Sequence, residues 1–313
     1  MKYPLYRYWR AVVMTRTCGL IALLTMLVLQ TQAQVPAWKT YYDSAQAFWA
    51  EDWPKTVLLL KQAEKFAAND LGIYDPNYLT IANDLGLACW RTRAYGEAEK
   101  ILKETLATKR QVYAPSDPEI FRSVSNLAGL YAERGDHVPA KQLYRQIISA
   151  PAAEQDVYWK AVKNMMRLYE THDDLDSALQ LVDKLDAMTA AGKDPAQTYE
   201  TRLARGRINR KLRKYDDART ILERMIGELQ QQREPLLSSL HVQALQEAGL
   251  LYLSTGSFNQ AEKNILQGFR LIKTLQLTDA GLQTEVLNNL ASVYEKLNIY
   301  DKATVYYQEA LDL

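Results

Sequence analysis

A short pattern of residues recurs along the chain and constrains its fold more than any other feature. A large residue precedes a small one, an aromatic residue follows three positions later, and a turn and an alanine come next, as in Leu127-Ala128, Tyr131 and Ala140. The copies start at residues 43, 85, 127, 165, 205, 248 and 290, which gives spacings of 42, 42, 38, 40, 43 and 42. Self-similarity at such a period predicts an array of repeats that pack on their neighbours.

The periodicity within each copy indicates helices. After residue 36, apolar residues recur at i, i+3, i+4 and i+7, and no strand-like alternation is sustained. The small residue of each pair allows two antiparallel helices to approach closely, and the aromatic residues fill the space between copies. We therefore predict an all-helical chain built from helical hairpins.

The last copy carries the clearest resemblance to a known family. Its pattern, with Leu290-Ala291, Tyr294 and Ala303, resembles the tetratricopeptide repeat (TPR), a helix–turn–helix unit of about 34 residues. Its length and the phrase Asn288-Asn289 resemble the kinesin-light-chain type of repeat, which bacterial proteins also place before CHAT peptidase-like domains. The resemblance implies an all-α, right-handed α-solenoid of about seven units. An array of Sel1-like or HEAT hairpins is the alternative.

The resemblance covers residues 36–313, nearly the whole chain after the first 33 residues. We predict repeats over approximately residues 37–70, 79–112, 121–154, 159–192, 199–232, 242–275 and 284–313.

The N-terminal segment predicts export. Residues 1–33 contain four basic residues and no acidic one, the apolar run 18–29 is too short to span a bilayer, and Thr31-Gln32-Ala33 resembles a cleavage signal. We predict a signal peptide of residues 1–33, a periplasmic or extracellular protein, and no membrane span after cleavage. An uncleaved signal anchor is the alternative.

The remaining residues leave little for catalysis or nucleic-acid binding. Cleavage would remove four of 38 basic residues and leave 34 against 37 acidic ones, a charge of −3, which argues against nucleic acid as a partner. The three histidines are far apart in sequence, and Cys89 would be the one remaining cysteine. We predict no enzymatic activity, no metal and no cofactor, and a buried Cys89.

The resemblance also implies where a partner would bind, because the first helix of each TPR unit lines the concave face. Basic side chains there would attract an acidic peptide or a terminal carboxylate, and asparagines would hold its backbone. The predicted binding residues are Arg122, Asn126, Lys160, Lys163, Asn164, Arg167, Arg207, Arg210, Lys211 and Asn289. The alternative is that these cations form a solvated face and are paired with nearby acids such as Glu200.

The end of the chain leaves apolar residues such as Tyr306, Leu311 and Leu313 without a polar capping helix. This predicts either self-association through that face or a longer protein. The sequence as a whole predicts an exported scaffold that binds a peptide or a partner protein. The alternative is the sensory arm of a longer enzyme, such as a CHAT-type peptidase or a sensor kinase.

Overall fold

A computed structural model describes residues 35–150, 154–190, 194–232 and 234–313. The predicted signal peptide, residues 1–33, lies outside this part of the chain. The described residues form fourteen α-helices and no strand, so the predicted all-α fold is confirmed.

The helices follow one another as seven hairpins, each with a first and a second helix. They are α1 (Ala37–Ala47), α2 (Trp53–Asp70), α3 (Pro76–Arg91), α4 (Tyr95–Val112), α5 (Pro118–Arg134), α6 (His137–Ile148), α7 (Gln155–Thr171), α8 (Leu175–Thr189), α9 (Pro195–Lys211), α10 (Tyr215–Leu229), α11 (Pro235–Ser254), α12 (Phe258–Leu275), α13 (Ala280–Lys296) and α14 (Tyr300–Leu311). They belong to two compact bodies, an N-terminal body up to Pro115 and a C-terminal body from Ser116. Within each body, successive hairpins stack on one another, as in an α-solenoid.

An acidic residue followed by proline starts several first helices. The side chains of Asp75, Asp117 and Asp194 each accept a hydrogen bond from a backbone N–H in the first turn of α3, α5 and α9, and a proline follows each of them. Proline suits this position because its missing N–H would have no partner there. These helices therefore start three or four residues before the corresponding predicted repeat starts at 79, 121 and 199.

A single left-handed residue separates the two helices of every hairpin. It is Ala50, Arg93, Gly135, Asp173, Arg213, Gly256 or Asn298, and the φ angles of these seven residues lie between 57° and 91°. After it, a backbone N–H bonds the carbonyl five residues earlier in six of the hairpins, for example from Ala94 to Cys89. This is the Schellman geometry that ends a helix, and its recurrence shows that six of the seven copies share one turn.

The small residues of the pattern lie where the two helices of a hairpin meet. A Cβ built on Gly86 would lie 2.7 Å from Leu102 of the second helix, and one on Gly206 would lie 2.8 Å from Leu222. Ala128 and Ala291, which occupy the same position in other hairpins, are fully buried. The predicted close approach is therefore confirmed.

Tyrosines of first helices link each of three hairpins to the preceding one. Tyr252 donates a hydrogen bond to Glu223 at 2.6 Å and Tyr294 donates one to Glu262 at 2.7 Å. In the N-terminal body, Tyr78 donates to Glu64 at 2.8 Å. The aromatic ring thus packs between hairpins while its hydroxyl reaches a carboxylate of the preceding second helix.

Cys89 of α3 is fully buried and free, as predicted, and burial raises the pKa of its thiol to about 11. Across the residues that the structure describes, no helix combines the length and apolar character that a bilayer crossing demands. Helix α14 leaves Tyr300, Val305 and Leu311 exposed. The predicted self-association through this region stays a prediction.

Candidate functional site

All ten predicted binding residues lie on first helices of the C-terminal body. Helix α5 carries Arg122 and Asn126, α7 carries residues 160, 163, 164 and 167, α9 carries residues 207, 210 and 211, and α13 carries Asn289. We call the surface formed by α5, α7, α9, α11 and α13 the first-helix face.

Five of the seven predicted cations are already paired with carboxylates. Arg122 contacts Glu154 at 2.7 Å and Glu119 at 2.8 Å. Lys163 pairs with Glu200, which lies on the next first helix. The net positive charge of the first-helix face is therefore smaller than the basic residues alone suggest.

The remaining three paired cations, all on α9, bridge to the first helices on both sides. Glu170 of α7 accepts hydrogen bonds from Arg207 at 3.0 Å and Lys211 at 3.1 Å, while Arg210 pairs with Glu247 of α11 at 3.0 Å. The Glu170 side chain is only 7% exposed. Its burial opposes ionisation, but the bonds from Arg207 and Lys211 outweigh this and hold its pKa below the ordinary value. These pairs tie three first helices together.

Glu285 of α13 interacts electrostatically with two members of this network, Glu247 and Arg207. Partial burial and the nearby carboxylate of Glu247 raise its pKa, although Arg207 acts in the opposite direction. The network therefore contains one carboxylate that is stabilised in its charged form, Glu170, and one that is destabilised in that form.

Two predicted cations, Lys160 and Arg167 of α7, have no carboxylate partner among the described residues, and both are exposed. They are the basic groups of the first-helix face that an incoming anion would meet without displacing an existing partner. Binding through them would avoid the cost of breaking a buried pair.

The three predicted asparagines have different environments. Asn126 and Asn164 are half-buried, and Asn126 already has a contact within the protein. The side-chain nitrogen of Asn289 is enclosed and has no hydrogen-bond partner among the described residues. Asn289 lies on α13, away from the residues that form the pocket described next.

A pocket of about 280 Å³ opens on the first-helix face between α7, α9 and α11. Three predicted residues, Lys163, Arg167 and Arg207, line it together with Glu200. Its apolar lining includes Trp159, Met166, Leu203, Leu240 and the exposed Leu236. The pocket thus combines an apolar interior with charged groups at its edge, the arrangement that small-ligand and side-chain pockets share.

The alternative stated for the sequence, that nearby acids such as Glu200 accompany these cations, agrees with the pairing of Lys163 with Glu200. The sequence reasoning missed Glu170 and Glu247 as partners and the apolar lining of the pocket. A signal for the ion pairs was present, because the three pairs formed by Lys163, Arg207 and Arg210 each join residues 37 positions apart. This is slightly less than the local repeat length, so an acid and a base at that separation face each other on adjacent first helices.

Two histidines that are distant in sequence meet in the structure. The rings of His137 and His172 lie 4.3 Å apart in an edge-on arrangement, and Nδ1 of His172 lies 2.7 Å from the carbonyl oxygen of Leu168. Within the described ranges, no three His, Cys, Asp or Glu side chains cluster as ligands for a metal ion would. The histidine pair is thus a contact between adjacent hairpins.

Comparison with known proteins agrees with the repeat pattern. Residues 77–151 and residues 284–313 match two family models, both described as tetratricopeptide repeat. No curated protein matches the chain in a sequence search.

Several solved structures are similar in fold. The apo form of the quorum sensor NprR from B. thuringiensis is 18% identical, with a TM-score of 0.69 over 97% of this chain and 85% of its own. A Rap protein complexed with Competence and Sporulation Factor is 15% identical, with a TM-score of 0.58 over 90% and 76%. A Podosopora anserina putative kinesin light chain with TPR-like repeats is 18% identical, with a TM-score of 0.53 over 61% and 94%.

At these identities the likeness concerns the fold alone. It agrees with the resemblance to kinesin-light-chain repeats that the long copies indicated. The two family matches show tetratricopeptide repeats at residues 77–151 and 284–313, and the left-handed residue between the two helices of each of the seven hairpins extends the same pattern along the described chain.

Proposed function

We propose that this protein is an exported, non-enzymatic scaffold that binds a peptide or a segment of a partner protein on its first-helix face. The observation that carries the proposal is the pocket between α7, α9 and α11, which has an apolar interior and the unpaired Arg167 at its edge. A ligand with an apolar side chain next to a carboxylate would match both features.

The chemistry of the pocket favours this kind of ligand. An apolar side chain of the ligand could pack against Trp159, Met166 and Leu240. Its burial would contribute about 25 cal/mol of binding free energy per Å² of apolar surface removed from water. Arg167 would supply a charge-assisted hydrogen bond to a carboxylate, which is stronger than a neutral one. Lys163 and Arg207 already form ion pairs with Glu200 and Glu170. Arg167 is therefore the cation of the pocket that is available to bind the carboxylate.

The similar structures agree with this proposal. One is the apo form of a quorum sensor, and another is a Rap protein complexed with Competence and Sporulation Factor, so one of these similar structures contains a bound factor. The proposal that the protein is exported is based on residues 1–33, which contain basic residues and an apolar run but no acidic residue.

The proposal is tested by capture of partners from the cell envelope on the immobilised protein. We expect Arg167→Glu to weaken capture of the main bound partner at least tenfold, because it replaces an attractive charge with a repulsive one. Ser239→Phe, which fills the pocket from α11, should have a similar effect. Circular dichroism should show unchanged helicity in both variants.

The matched control is Lys263→Glu, which makes the same charge change at an exposed position of the second helix α12. It should leave capture unchanged. If Arg167→Glu and Lys263→Glu retain the partner equally well, and Ser239→Phe does too, the pocket is not the binding site.

A further inference from the structure

A second groove lies on a different side of α7, between the second helices α6 and α8. Its volume is about 560 Å³, twice that of the pocket on the first-helix face. Met165, Leu181 and Tyr169 form its apolar base. Because Met165 and Met166 are adjacent on a helix, they point in directions about 100° apart, and each lines a different one of the two cavities.

The walls of this groove carry two rows of groups that form hydrogen bonds. Gln142 and Gln146 lie one helical turn apart on α6, and Gln180 and Lys184 lie one turn apart on α8. All four side chains are exposed. A separation of four residues along a helix is about 6 Å, close to the two-residue repeat of about 6.6 Å in an extended chain.

This match in spacing suits an extended polypeptide. Successive peptide groups that face the same wall would each meet one side chain of the row. A glutamine amide both donates and accepts hydrogen bonds, so it can pair with a peptide group whatever the adjoining side chain is.

The charges of the groove select the kind of polypeptide. Arg145 of α6 and Lys184 of α8 lie on opposite walls, and no carboxylate lines the groove. Arg145 makes one long hydrogen bond of 3.4 Å to the hydroxyl of Tyr169, which leaves its other N–H groups available. Lys141 adds a third positive charge above the Tyr169 ring, 4.6 Å from its centre.

We propose that this groove binds an extended, acidic segment of a partner protein, at a site separate from the pocket on the first-helix face. Acidic side chains of the segment contact Arg145 and Lys184, and its backbone contacts the glutamine rows. Residues 1–33 of this chain contain no acidic residue and therefore lack the complementary charge.

The two adjacent methionines allow a direct test. The probe is an acetylated and amidated octapeptide of alternating Asp and Ser, titrated into protein with ¹³C-labelled methionine methyl groups. We expect the Met165 resonance to shift with saturation while the Met166 resonance stays in place. The double variant Arg145→Glu/Lys184→Glu should weaken binding at least tenfold, and higher salt should weaken binding to the wild type.

Two further variants separate peptide recognition from charge attraction. Gln142→Leu/Gln146→Leu keeps the charge of the groove and should reduce octapeptide binding severalfold. Lys263→Glu/Lys296→Glu makes the same total charge change as the groove variant at exposed positions outside the groove, and it should leave the Met165 titration unchanged.

The result that overturns the proposal is an unmoved Met165 resonance at millimolar octapeptide. Equal binding of a linear polyphosphate of the same charge, with no effect of the glutamine substitutions, would also overturn it in favour of a general anion site. A shift of Met166 alone would contradict this groove while leaving the proposed function on the first-helix face intact.

Discussion

Gly249→Ala tests whether close helix crossing determines the stability of a hairpin. Gly249 lies in α11, and a Cβ built there would lie 2.3 Å from Cγ1 and 2.7 Å from Cδ1 of Ile265 in α12. Carbon atoms in contact prefer separations of about 3.5–4.0 Å. Ile265 is fully buried, so it has little room to move away.

The expected effect follows from two opposing contributions. Alanine favours a helix over glycine by about 1 kcal/mol, whereas an extra methyl group in a packed core costs about 1–3 kcal/mol. Gly227→Ala in α10 supplies the matched control, because a Cβ there would meet nothing within 4 Å. Both variants share the helix-propensity gain, so the difference between them isolates the packing cost, about 1–3 kcal/mol.

The measurement is urea unfolding followed by circular dichroism at 222 nm for the wild type and both variants. We expect Gly227→Ala to raise the free energy of unfolding and Gly249→Ala to fall below Gly227→Ala by the packing cost. In an Ile265→Ala background, where the clash is removed, Gly249→Ala should become as favourable as Gly227→Ala. Equal stabilisation by both substitutions in the wild-type background would refute the close-packing argument.

Two other predictions concern the ion network and the N-terminus. The lowered pKa of Glu170 means that its ionisation stabilises the fold above the unfolded pKa of about 4.3 and that this contribution is lost as the pH falls further. Glu170→Gln should therefore lower stability at pH 7 by about 1–3 kcal/mol and flatten its decline below about pH 4.5, as measured by urea unfolding at several pH values. Glu285 is the control, because its pKa is raised rather than lowered and its ionisation therefore destabilises the fold. Glu285→Gln should reduce the loss of stability as the pH rises above about 4.3. Identical pH profiles for the two variants would contradict these assignments. For the N-terminus, Edman sequencing of protein exported by a bacterial host should begin at Gln34, and a start at Met1 would show that the signal is retained.

The repeats could be predicted because each depends on residues close together in the sequence. The left-handed turn at Asp173 or Asn298, the aspartate and proline that start α5 and α9, and the small residue that allows helices to cross all act within one hairpin. Local hydrogen bonds and steric contacts of this kind leave a pattern that recurs with every copy.

The candidate site was predicted only in part. The sequence indicated which helices carry the basic residues, and Lys163, Arg167 and Arg207 do line one pocket. It left open whether these cations are paired, and the structure decides that Lys163 and Arg207 are paired while Arg167 is not, because pairing depends on how far each first helix is shifted along its neighbour.

The sequence alone thus determines the all-helical architecture of seven hairpins. This is because helical periodicity and turn residues depend on interactions between residues a few positions apart. Only the tertiary structure decided three other features: that Arg167 is unpaired, that the rings of His137 and His172 are in contact, and that Met165 and Met166 line separate cavities. The physical reason is that electrostatic pairing and cavity shape depend on distances of a few ångströms between side chains of different hairpins, which are dozens of residues apart in the chain.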